Sequence, residues 1–285
     1  MVLHLKFIVI QVLRAPIIAL RAFDVETKLV SDHAKSEMLM MMRFQWWRDA
    51  VNSTFQGKPP DHPVMRALAG VFVEQGVQLT RYRLQKIIST REEMMLAQQP
   101  PPSLKQLEEK AEGTISQLLY LQLEAYQGFK AFAGDERDMV GEDVREATSH
   151  IGRAVGLATL LRGTRFYASR QQTYLPVDLC DHHGIEPGDL INDQNCLSDG
   201  VRLVVRDIVD RAQEHLRQGR VQRSTKKLPR DVSTLLLPSL AADLYLRALS
   251  SRANYNVYDD TLSRGGGSLL GYQLRVKINV LLGKY

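Results

Sequence analysis

A central stretch of the sequence, Leu160 to Pro176, combines basic and aromatic residues without acidic ones. It reads LLRGTRFYASRQQTYLP, and no Asp or Glu occurs between Ile151 and Val177. The same interval contains Arg153, Arg162, Arg165 and Arg170. A guanidinium can bind a phosphate or a carboxylate through two parallel hydrogen bonds. The stretch therefore indicates either an anion-binding site or a set of arginines that pair with carboxylates elsewhere in a helical bundle.

Residues that could ligate a metal are few, and their spacing does not favour a metal site. Cys180 and Cys196 are the only cysteines, and they do not form a CxxC motif. Two cysteines cannot build a disulfide framework, so a reducing compartment is expected. His182 and His183 are adjacent, and on regular structure their rings point in different directions. We interpret DHHG as a turn and expect no metal or cofactor here.

The overall composition is typical of a globular protein that buries a full core. The chain has 285 residues, of which 44% are hydrophobic and 24% charged. The net charge of +5 suits an anionic partner such as a phospholipid surface. No tract is dense enough in basic residues to indicate nucleic acid. The densest basic run, Arg220 to Arg230, is predicted to be a solvated loop.

The apolar residues of the chain recur with helical periodicity, so the elements that must position these residues are predicted to be helices. A polar loop is predicted over 133–143, and a turn-rich connector follows the central stretch. Neither β-alternation nor an internal repeat is evident, so we predict one all-α domain over residues 1–285. Ser103 is a candidate N-cap after three prolines. Helices are predicted over 61–76, 79–96, 104–132, 144–161, 200–217 and 235–251, with a last one after Gly265–Gly267.

Gly152 and Gly156 lie four residues apart in the predicted helix 144–161. Residues four apart share one helix face. Because glycine has no side chain, we expect another helix to approach closely at these positions.

The N-terminal segment, residues 1–23, is apolar but not continuously so. Four residues interrupt it: Lys6, Gln11, Arg14 and Pro16. These interruptions argue against a membrane-spanning helix, which needs about 20 apolar residues, and no small-residue cleavage site indicates a secretory signal. Basic residues precede the first acid, Asp24. This pattern is compatible with organelle import, with contact to a membrane surface, or with a buried first helix.

Several blocks of the sequence resemble, in the same order, the squalene/phytoene synthase family. They are RAFDVETKLVSD, RFQWWRDAV, AEGTISQLLYLQLEA, SHIGRAVGLATLLRGTRFYASRQQTYLPVDLCDHHGI and LPSLAADLYLRAL. Each block is weakly specific, but their conjunction covers nearly the whole chain. The resemblance implies an all-α isoprenoid-synthase fold with a central cavity.

Active members of that family place two aspartate-rich motifs on facing helices. Aspartates four residues apart share a helix face, so their oxygens can hold Mg²⁺ together. The metal ions neutralise a diphosphate leaving group while a carbocation forms on the prenyl chain. Mg²⁺ would therefore be the cofactor of this chain only if it were an active enzyme.

At the first motif the matching residues are Lys28 and Asp32, so an ammonium replaces one carboxylate. Their spacing of four predicts a Lys28–Asp32 salt bridge on the helix face. Asp24 falls on the same face, but it is about 12 Å from Asp32 along the axis. That separation is too large for the two acids to hold one ion, so Asp32 is expected to be structural.

At the second motif the family's acids match three residues that cannot replace a carboxylate as ligands of a hard cation: Gly163, Phe166 and Tyr167. The surrounding frame is retained as Arg162, Arg170 and Tyr174. These three are candidates for binding an anion or a diphosphate. We therefore expect Mg²⁺-dependent ionisation to be lost, and we assign no catalytic residue.

The pattern of loss resembles one branch of the family, that of mitochondrial NADH dehydrogenase (complex I) assembly factor 6. This resemblance implies action in complex I assembly at the matrix side of the inner membrane. It implies complex I subunits or other assembly factors as partners, with peripheral membrane association and a lipid or prenyl ligand as further expectations. The chain begins almost at the first family helix. An import sequence could therefore be missing from its N-terminus.

A partner surface is predicted near the block RFQWWRDAV. Adjacent residues on a helix point about 100° apart, so at most one of Trp46 and Trp47 faces a given partner. We expect one Trp in the core and the other at the helix flank. The methionines at 38 and 40–42 are predicted to be core filler. Should they be exposed instead, Met40 and Met41 beside the two tryptophans form the first place to look for a partner.

Two other hypotheses stay open. One is an active isoprenoid transferase of the squalene/phytoene synthase type, with Asp32 joined by Glu112 or Asp178 in an irregular metal site. It requires at least three carboxylates to converge on one point. The other is a peripheral membrane adaptor that uses the basic N-terminus.

Overall fold

The computed structural model describes residues 2–34, 36–97, 99–132, 141–192, 195–225, 230–264 and 269–285. These residues form helices, turns and loops without a strand, so the all-α prediction is confirmed. The α-helices are α1 (Val2–Lys28), α2 (Val30–His33), α3 (Glu37–Phe55), α4 (Pro63–Gln75), α5 (Arg81–Leu96), α6 (Leu104–Ala111), α7 (Gln117–Phe132), α8 (Glu142–Arg162), α9 (Thr164–Ala168), α10 (Val177–His183), α11 (Asp199–Thr225), α12 (Arg230–Leu235), α13 (Pro238–Ser251) and α14 (Leu269–Leu282). Single turns of other helix types occupy Glu112–Ser116 (π), Pro187–Ile191 and Asp260–Arg264 (both 3₁₀).

The chain groups into two compact units. The first unit comprises Met1–Leu96 and Gln117–Gly141, and the second comprises Ala97–Ser116 and Glu142–Tyr285. A single domain over residues 1–285 stays a prediction.

In the first unit, α1 packs on α4 and α7, while α5 packs on α3 and α7. The core between these helices includes Leu20, Phe23, Phe44, Leu68 and Ile87, all fully buried. The helix boundaries follow local chemistry. Ser36 accepts a hydrogen bond from the backbone of Leu39 at the start of α3, and Gly76 ends α4 in a left-handed conformation (φ +60°).

In the second unit, α8 lies against α6, the π segment, α11 and α13. A Cβ added at Gly152 would lie 2.6 Å from the Cα of Ser116, and one at Gly156 would lie 2.9 Å from the Cα of Ala111. The predicted close approach at these two glycines is therefore confirmed. Ser103 caps α6 as expected, because its hydroxyl accepts a hydrogen bond from the backbone of Gln106.

The helix predicted over 104–132 is interrupted by the π segment, Glu112–Ser116. A π turn inserts an extra residue into the α-helical ladder. Here the Thr114 hydroxyl donates to the carbonyl of Lys110 at 2.8 Å and competes for that acceptor. The widened turn places Ser116 directly against Gly152. Helical periodicity does not reveal such a local insertion.

Two predicted irregular regions are partly helical. The connector contains α10, which ends at Gly184 (φ +65°), so His182 and His183 occupy the last helical turn. In the basic run, α11 continues to Thr225, and Arg220 binds Asp243 at 3.2 Å. The prediction of a loop is therefore wrong for residues 220–225, while 226–229 lie outside the described residues. Most of the loop predicted over 133–143 also lies outside them.

The first helix, α1, has 27 residues and includes Pro16. No helix in the described ranges is long and apolar enough to cross a membrane.

Candidate functional site

The first-motif region lies at the end of α1 in the first unit. The Lys28 ammonium binds the Asp24 carboxylate at 3.0 Å. Asp24 also accepts a hydrogen bond from the guanidinium of Arg91 on α5. Arg91 donates further to the Asp24 backbone carbonyl at 2.6 Å and to the Thr27 hydroxyl. Asp24 and Arg91 are only 5% and 3% exposed, so this is a buried ion pair.

The predicted Lys28–Asp32 salt bridge is wrong, because Lys28 pairs with the acid one turn earlier. An acidic residue four positions before a lysine is the more favourable orientation on a helix. In addition, α1 ends at Lys28, and Asp32 belongs to the short helix α2. There its carboxylate accepts a hydrogen bond from the Ser31 hydroxyl at 3.4 Å.

The charges around Asp24 keep it ionised. Burial raises the pKa of Asp24, but Arg91 and Lys28 outweigh this effect, and the pKa lies below its ordinary value. Burial lowers the pKa of Lys28, with Asp24 opposing the shift. Each carboxylate oxygen of Asp24 thus binds a cation of the protein.

The second-motif region lies in the second unit, where Gly163 separates α8 from α9. The Phe166 ring is 45% exposed and packs edge-on against Tyr167, with centroids 5.5 Å apart. The guanidinium of Arg170 lies 4.3 Å from the centroid of the Phe166 ring. A cation over an aromatic face is electrostatically favourable. Two of the three residues that match the family's acids, Phe166 and Tyr167, therefore form an aromatic surface beside a retained arginine.

The hydroxyl of Tyr174 is buried and shares a hydrogen bond with the Thr164 hydroxyl. Burial raises the pKa of Tyr174 well above its ordinary value. The residue therefore stays neutral and links the start of α9 to the segment that follows it. The Tyr174 hydroxyl thus binds Thr164, and an anion-binding role for Tyr174 stays a prediction.

Two of the four arginines in and before the central stretch pair with carboxylates of the protein. Arg153 binds Glu112 at 3.1 Å, and Arg165 binds Asp260 at 2.5 Å. These two pair with carboxylates within the second unit. Arg162, at the end of α8, and Arg170 have exposed side chains. They are the arginines best placed to meet an anion from solution.

The acids considered for an irregular metal site have other structural partners. Glu112 accepts hydrogen bonds from Ser149 at 2.8 Å and from Arg153 at 3.1 Å. Asp178 accepts from the backbone of Leu104 at 3.2 Å and thus caps the start of α6. Among the described residues, no group of three or more His, Cys, Asp or Glu side chains is arranged to hold a metal ion.

A buried polar network in the second unit was not predicted. Glu108 binds Arg211 and lies 3.3 Å from Nε2 of His215. The other ring nitrogen of His215, Nδ1, lies 2.9 Å from Nδ1 of His150. Because one nitrogen must donate and the other accept, at least one imidazole is neutral at this contact. These residues come from α6, α8 and α11, so no local spacing in the sequence could reveal them.

The two cysteines and the two adjacent histidines all lie in the described part of the chain. Cys180 and Cys196 are not joined in a disulfide, and burial raises the pKa of Cys180 to about 12. A thiol with so high a pKa is a poor nucleophile. His183 binds Asp207 at 2.7 Å, whereas His182 is exposed.

The predicted partner surface is half core and half exposed. Trp47 is buried and packs edge-on against Phe23, Trp46 and His62, with centroid distances of 5.5, 5.0 and 5.2 Å. Trp46 is 42% exposed. Met40 packs against the core, but the prediction of core filler is wrong for the other methionines. Exposed apolar side chains on α3 are Met38, Leu39, Met41, Met42 and Trp46, here named the α3 apolar surface.

Helical architecture and degenerate motifs together define a prenyl-synthase-like protein. The chain belongs to the squalene/phytoene synthase family, whose sequence model matches residues 7–267. It is 34% identical to NADH dehydrogenase (ubiquinone) complex I, assembly factor 6 from Rattus norvegicus, over 86% of this chain and 68% of that protein. It is 32% identical to the protein of that name from Homo sapiens, over 88% of this chain and 70% of the relative.

Solved structures show the same fold at lower sequence identity. A dehydrosqualene synthase crystallised with a ligand superposes with a TM-score of 0.73, at 15% identity, over 94% of this chain and 87% of that one. Squalene synthase HpnC from Alicyclobacillus acidocaldarius gives a TM-score of 0.70, at 18% identity, over 86% of this chain and 85% of that one. The predicted isoprenoid-synthase-like helical fold is therefore confirmed.

Proposed function

We propose that this chain acts in the assembly of mitochondrial respiratory complex I, as a member of the squalene/phytoene synthase family that does not transfer prenyl groups. Similarity to the complex I assembly factors over most of the chain supports the assembly role. The observation that carries the loss of catalysis is the ammonium of Lys28, which stands where the first motif has a carboxylate and binds Asp24 at 3.0 Å.

The second motif supports the same proposal. Metal-dependent ionisation of a prenyl diphosphate needs carboxylates that hold Mg²⁺ against the leaving group. Gly163, Phe166 and Tyr167 occupy the matching positions, and none supplies an anionic oxygen. The retained Arg162 and Arg170 suit a ligand with an anionic head group, such as a lipid or a prenyl diphosphate, bound without turnover.

We place the protein at the matrix side of the inner membrane, with complex I subunits or other assembly factors as partners. The α3 apolar surface is the proposed contact with such a partner. Exposed methionines adapt their shape to a partner, and a tryptophan beside them supplies a large contact area. Replacing Met41 and Trp46 by Gln should reduce co-purification of complex I subunits, while the exposed Leu203→Gln on α11 serves as control.

The assembly role is tested in cells depleted of this protein by measuring assembled complex I on native gels. Depletion should lower complex I, and re-expression of either the unchanged chain or Asp32→Ala should restore it. Rescue by Asp32→Ala shows that the role does not depend on a metal held by this acid. Normal complex I after depletion would refute the assembly role.

The loss of catalysis is tested separately with purified protein, farnesyl diphosphate and Mg²⁺. We expect no release of pyrophosphate above the rate without protein. Sustained Mg²⁺-dependent release that disappears in Asp32→Ala would instead support the active transferase.

A further inference from the structure

The C-terminal helix α14 presents an uncovered apolar stripe. Leu270, Leu274, Ile278 and Leu281 are 78%, 59%, 43% and 72% exposed. Their spacing of four, four and three residues places them on one helix face. A soluble helix normally turns such a face toward a core, so the stripe indicates contact with a surface outside the chain.

The helix is nevertheless fixed at its C-terminal end. Tyr285 is buried, and its hydroxyl donates to the carbonyl of Gly219 on α11 at 2.9 Å. Arg220 donates to the backbone carbonyl of Tyr285 at 3.1 Å. These contacts hold the C-terminal end of α14 on α11, while the side chains of the stripe stay exposed.

The charged side chains of the C-terminal segment are of one sign. No Asp or Glu follows Asp260 in the sequence, whereas Arg264, Arg275, Lys277 and Lys284 do. At about 100° per residue, Lys277 flanks one side of the stripe and Arg275 flanks the other. Both basic side chains within the helix, Arg275 and Lys277, are exposed. An apolar stripe between basic flanks is complementary to a surface that is apolar inside and anionic outside.

We infer that α14 is an interfacial helix that binds the surface of an anionic phospholipid bilayer. The stripe enters the boundary between head groups and acyl chains, and the flanking cations bind lipid phosphates, as long basic side chains do at such interfaces. The helix does not span the bilayer, because 14 residues extend about 21 Å and the hydrocarbon core is about 30 Å thick.

The inference rests on the proposed function in one respect: α14 is the element that would hold the protein at the inner membrane. It differs from an adaptor that binds through the basic N-terminus, because the contact lies at the opposite end of the chain. Membrane binding is measured with purified protein and complex I assembly in cells, so either proposal can fail while the other stands.

The test is vesicle flotation of the full chain. Vesicles of phosphatidylcholine with phosphatidylglycerol should retain the protein, vesicles of phosphatidylcholine alone should not, and binding should weaken as salt is raised. Replacing Arg275 and Lys277 by Gln should weaken binding about 30-fold, since each basic residue contributes about 1 kcal/mol at an anionic surface. Leu270→Glu with Leu281→Glu should weaken it at least as much.

Matched controls separate the stripe from general effects of substitution. Leu203→Glu introduces a charge at an exposed apolar position on α11 and should leave binding unchanged. Circular dichroism and thermal unfolding establish that each variant is folded. Unchanged binding of the stripe variants, or equal binding to neutral vesicles, would overturn the inference. So would a dimer that these variants dissociate, because the stripe would then bind a second copy of the chain.

Discussion

The guanidinium of Arg91 on α5 lies against the carboxylate of Asp24 on α1, and both residues are buried in the first unit. The pair is one part of a cluster in which Lys28 binds the other carboxylate oxygen at 3.0 Å. Buried ion pairs lose hydration, so they stabilise a fold only when their partners and hydrogen bonds are complete. The stability of the buried cluster therefore depends on Arg91.

Replacing Arg91 by Met should destabilise the protein by about 3 kcal/mol, because Asp24 would keep a buried charge that Lys28 alone offsets. The double substitution Arg91→Met with Asp24→Asn should cost less than Arg91→Met. Urea unfolding measures both changes. Arg66→Met, which removes an exposed pair with Asp61, is the control and should cost less than about 1 kcal/mol. Equal costs for Arg66→Met and Arg91→Met would contradict the importance of the buried cluster.

Alanine at Gly152 should destabilise the second unit although alanine normally favours a helix by about 1 kcal/mol over glycine. Its methyl group would overlap Ser116, whose Cα lies 2.6 Å from the added Cβ. Overpacking of this kind costs about 1–3 kcal/mol. Gly188→Ala, whose Cβ would meet nothing within 4 Å, is the control. Thermal unfolding should show a lower melting temperature for Gly152→Ala only, and a stabilised Gly152→Ala would refute the close contact.

The features that sequence reasoning found are those set by local chemistry. Ser103 caps α6 because its hydroxyl reaches a backbone amide three residues later, and Gly76 ends α4 because glycine accepts a positive φ. The glycines at 152 and 156 were informative because their spacing matches the helix period. The all-α fold follows from many such signals.

The features that it missed depend on distant partners. Asp24 and Arg91 are 67 residues apart, and His150 and His215 are 65 apart. No local spacing in the sequence therefore indicates either pair. The preference of Lys28 for Asp24 over Asp32 depended on where α1 ends. Exposure of Met41 depended on which face of α3 the core covers, and a run of methionines has no apolar–polar pattern to show it.

Arg162 and Arg170 should bind pyrophosphate without Mg²⁺, because both are exposed cations and Arg170 lies over the ring of Phe166. Replacing both by Gln should weaken binding by about tenfold or more, as a hydrogen bond to a charged group contributes about 1.5–3 kcal/mol. Isothermal titration calorimetry measures the affinity. Arg206→Gln, at an exposed pair with Asp210, should leave it unchanged. Equal affinities for all three proteins would show that the retained arginines are not an anion site.

Glu108 should make the stability of the protein depend on acid pH. Burial raises the pKa of its carboxyl group, but His215 and Arg211 outweigh burial and lower it from 4.5 to about 2. Because the folded-state pKa is below the unfolded one, this stabilisation is complete above about pH 4.5 and is lost as the pH falls through about 2.

The expected result for Glu108→Gln is a loss of about 2 kcal/mol in the free energy of unfolding at pH 7, with the difference from the unchanged protein shrinking toward pH 2. Urea unfolding at a series of pH values measures it. Glu214→Gln, at a more exposed pair with Arg217, should leave the free energy of unfolding at pH 7 nearly unchanged. A gap that stays constant with pH would show that Glu108 is not held ionised by its partners.

The contact between His150 and His215 should give a second pH dependence, near neutrality. Burial, reinforced by the charges of His215 and Arg153, lowers the pKa of His150 below 6.5, although Glu146 and Glu112 oppose the shift. The unfolded chain therefore binds a proton more readily than the folded one. Stability from neutral His150 is present above about pH 6.5 and is lost as the pH falls through its lower folded-state pKa.

Replacing His150 by Gln should consequently flatten the fall in melting temperature between pH 7.5 and pH 5.5. His182→Gln, on an exposed ring, should leave the profile of the unchanged protein intact. Imidazole resonances followed by NMR would show directly which ring titrates. A profile that stays as steep in His150→Gln would exclude this histidine as the source, because the remaining titrating groups would then account for the whole dependence.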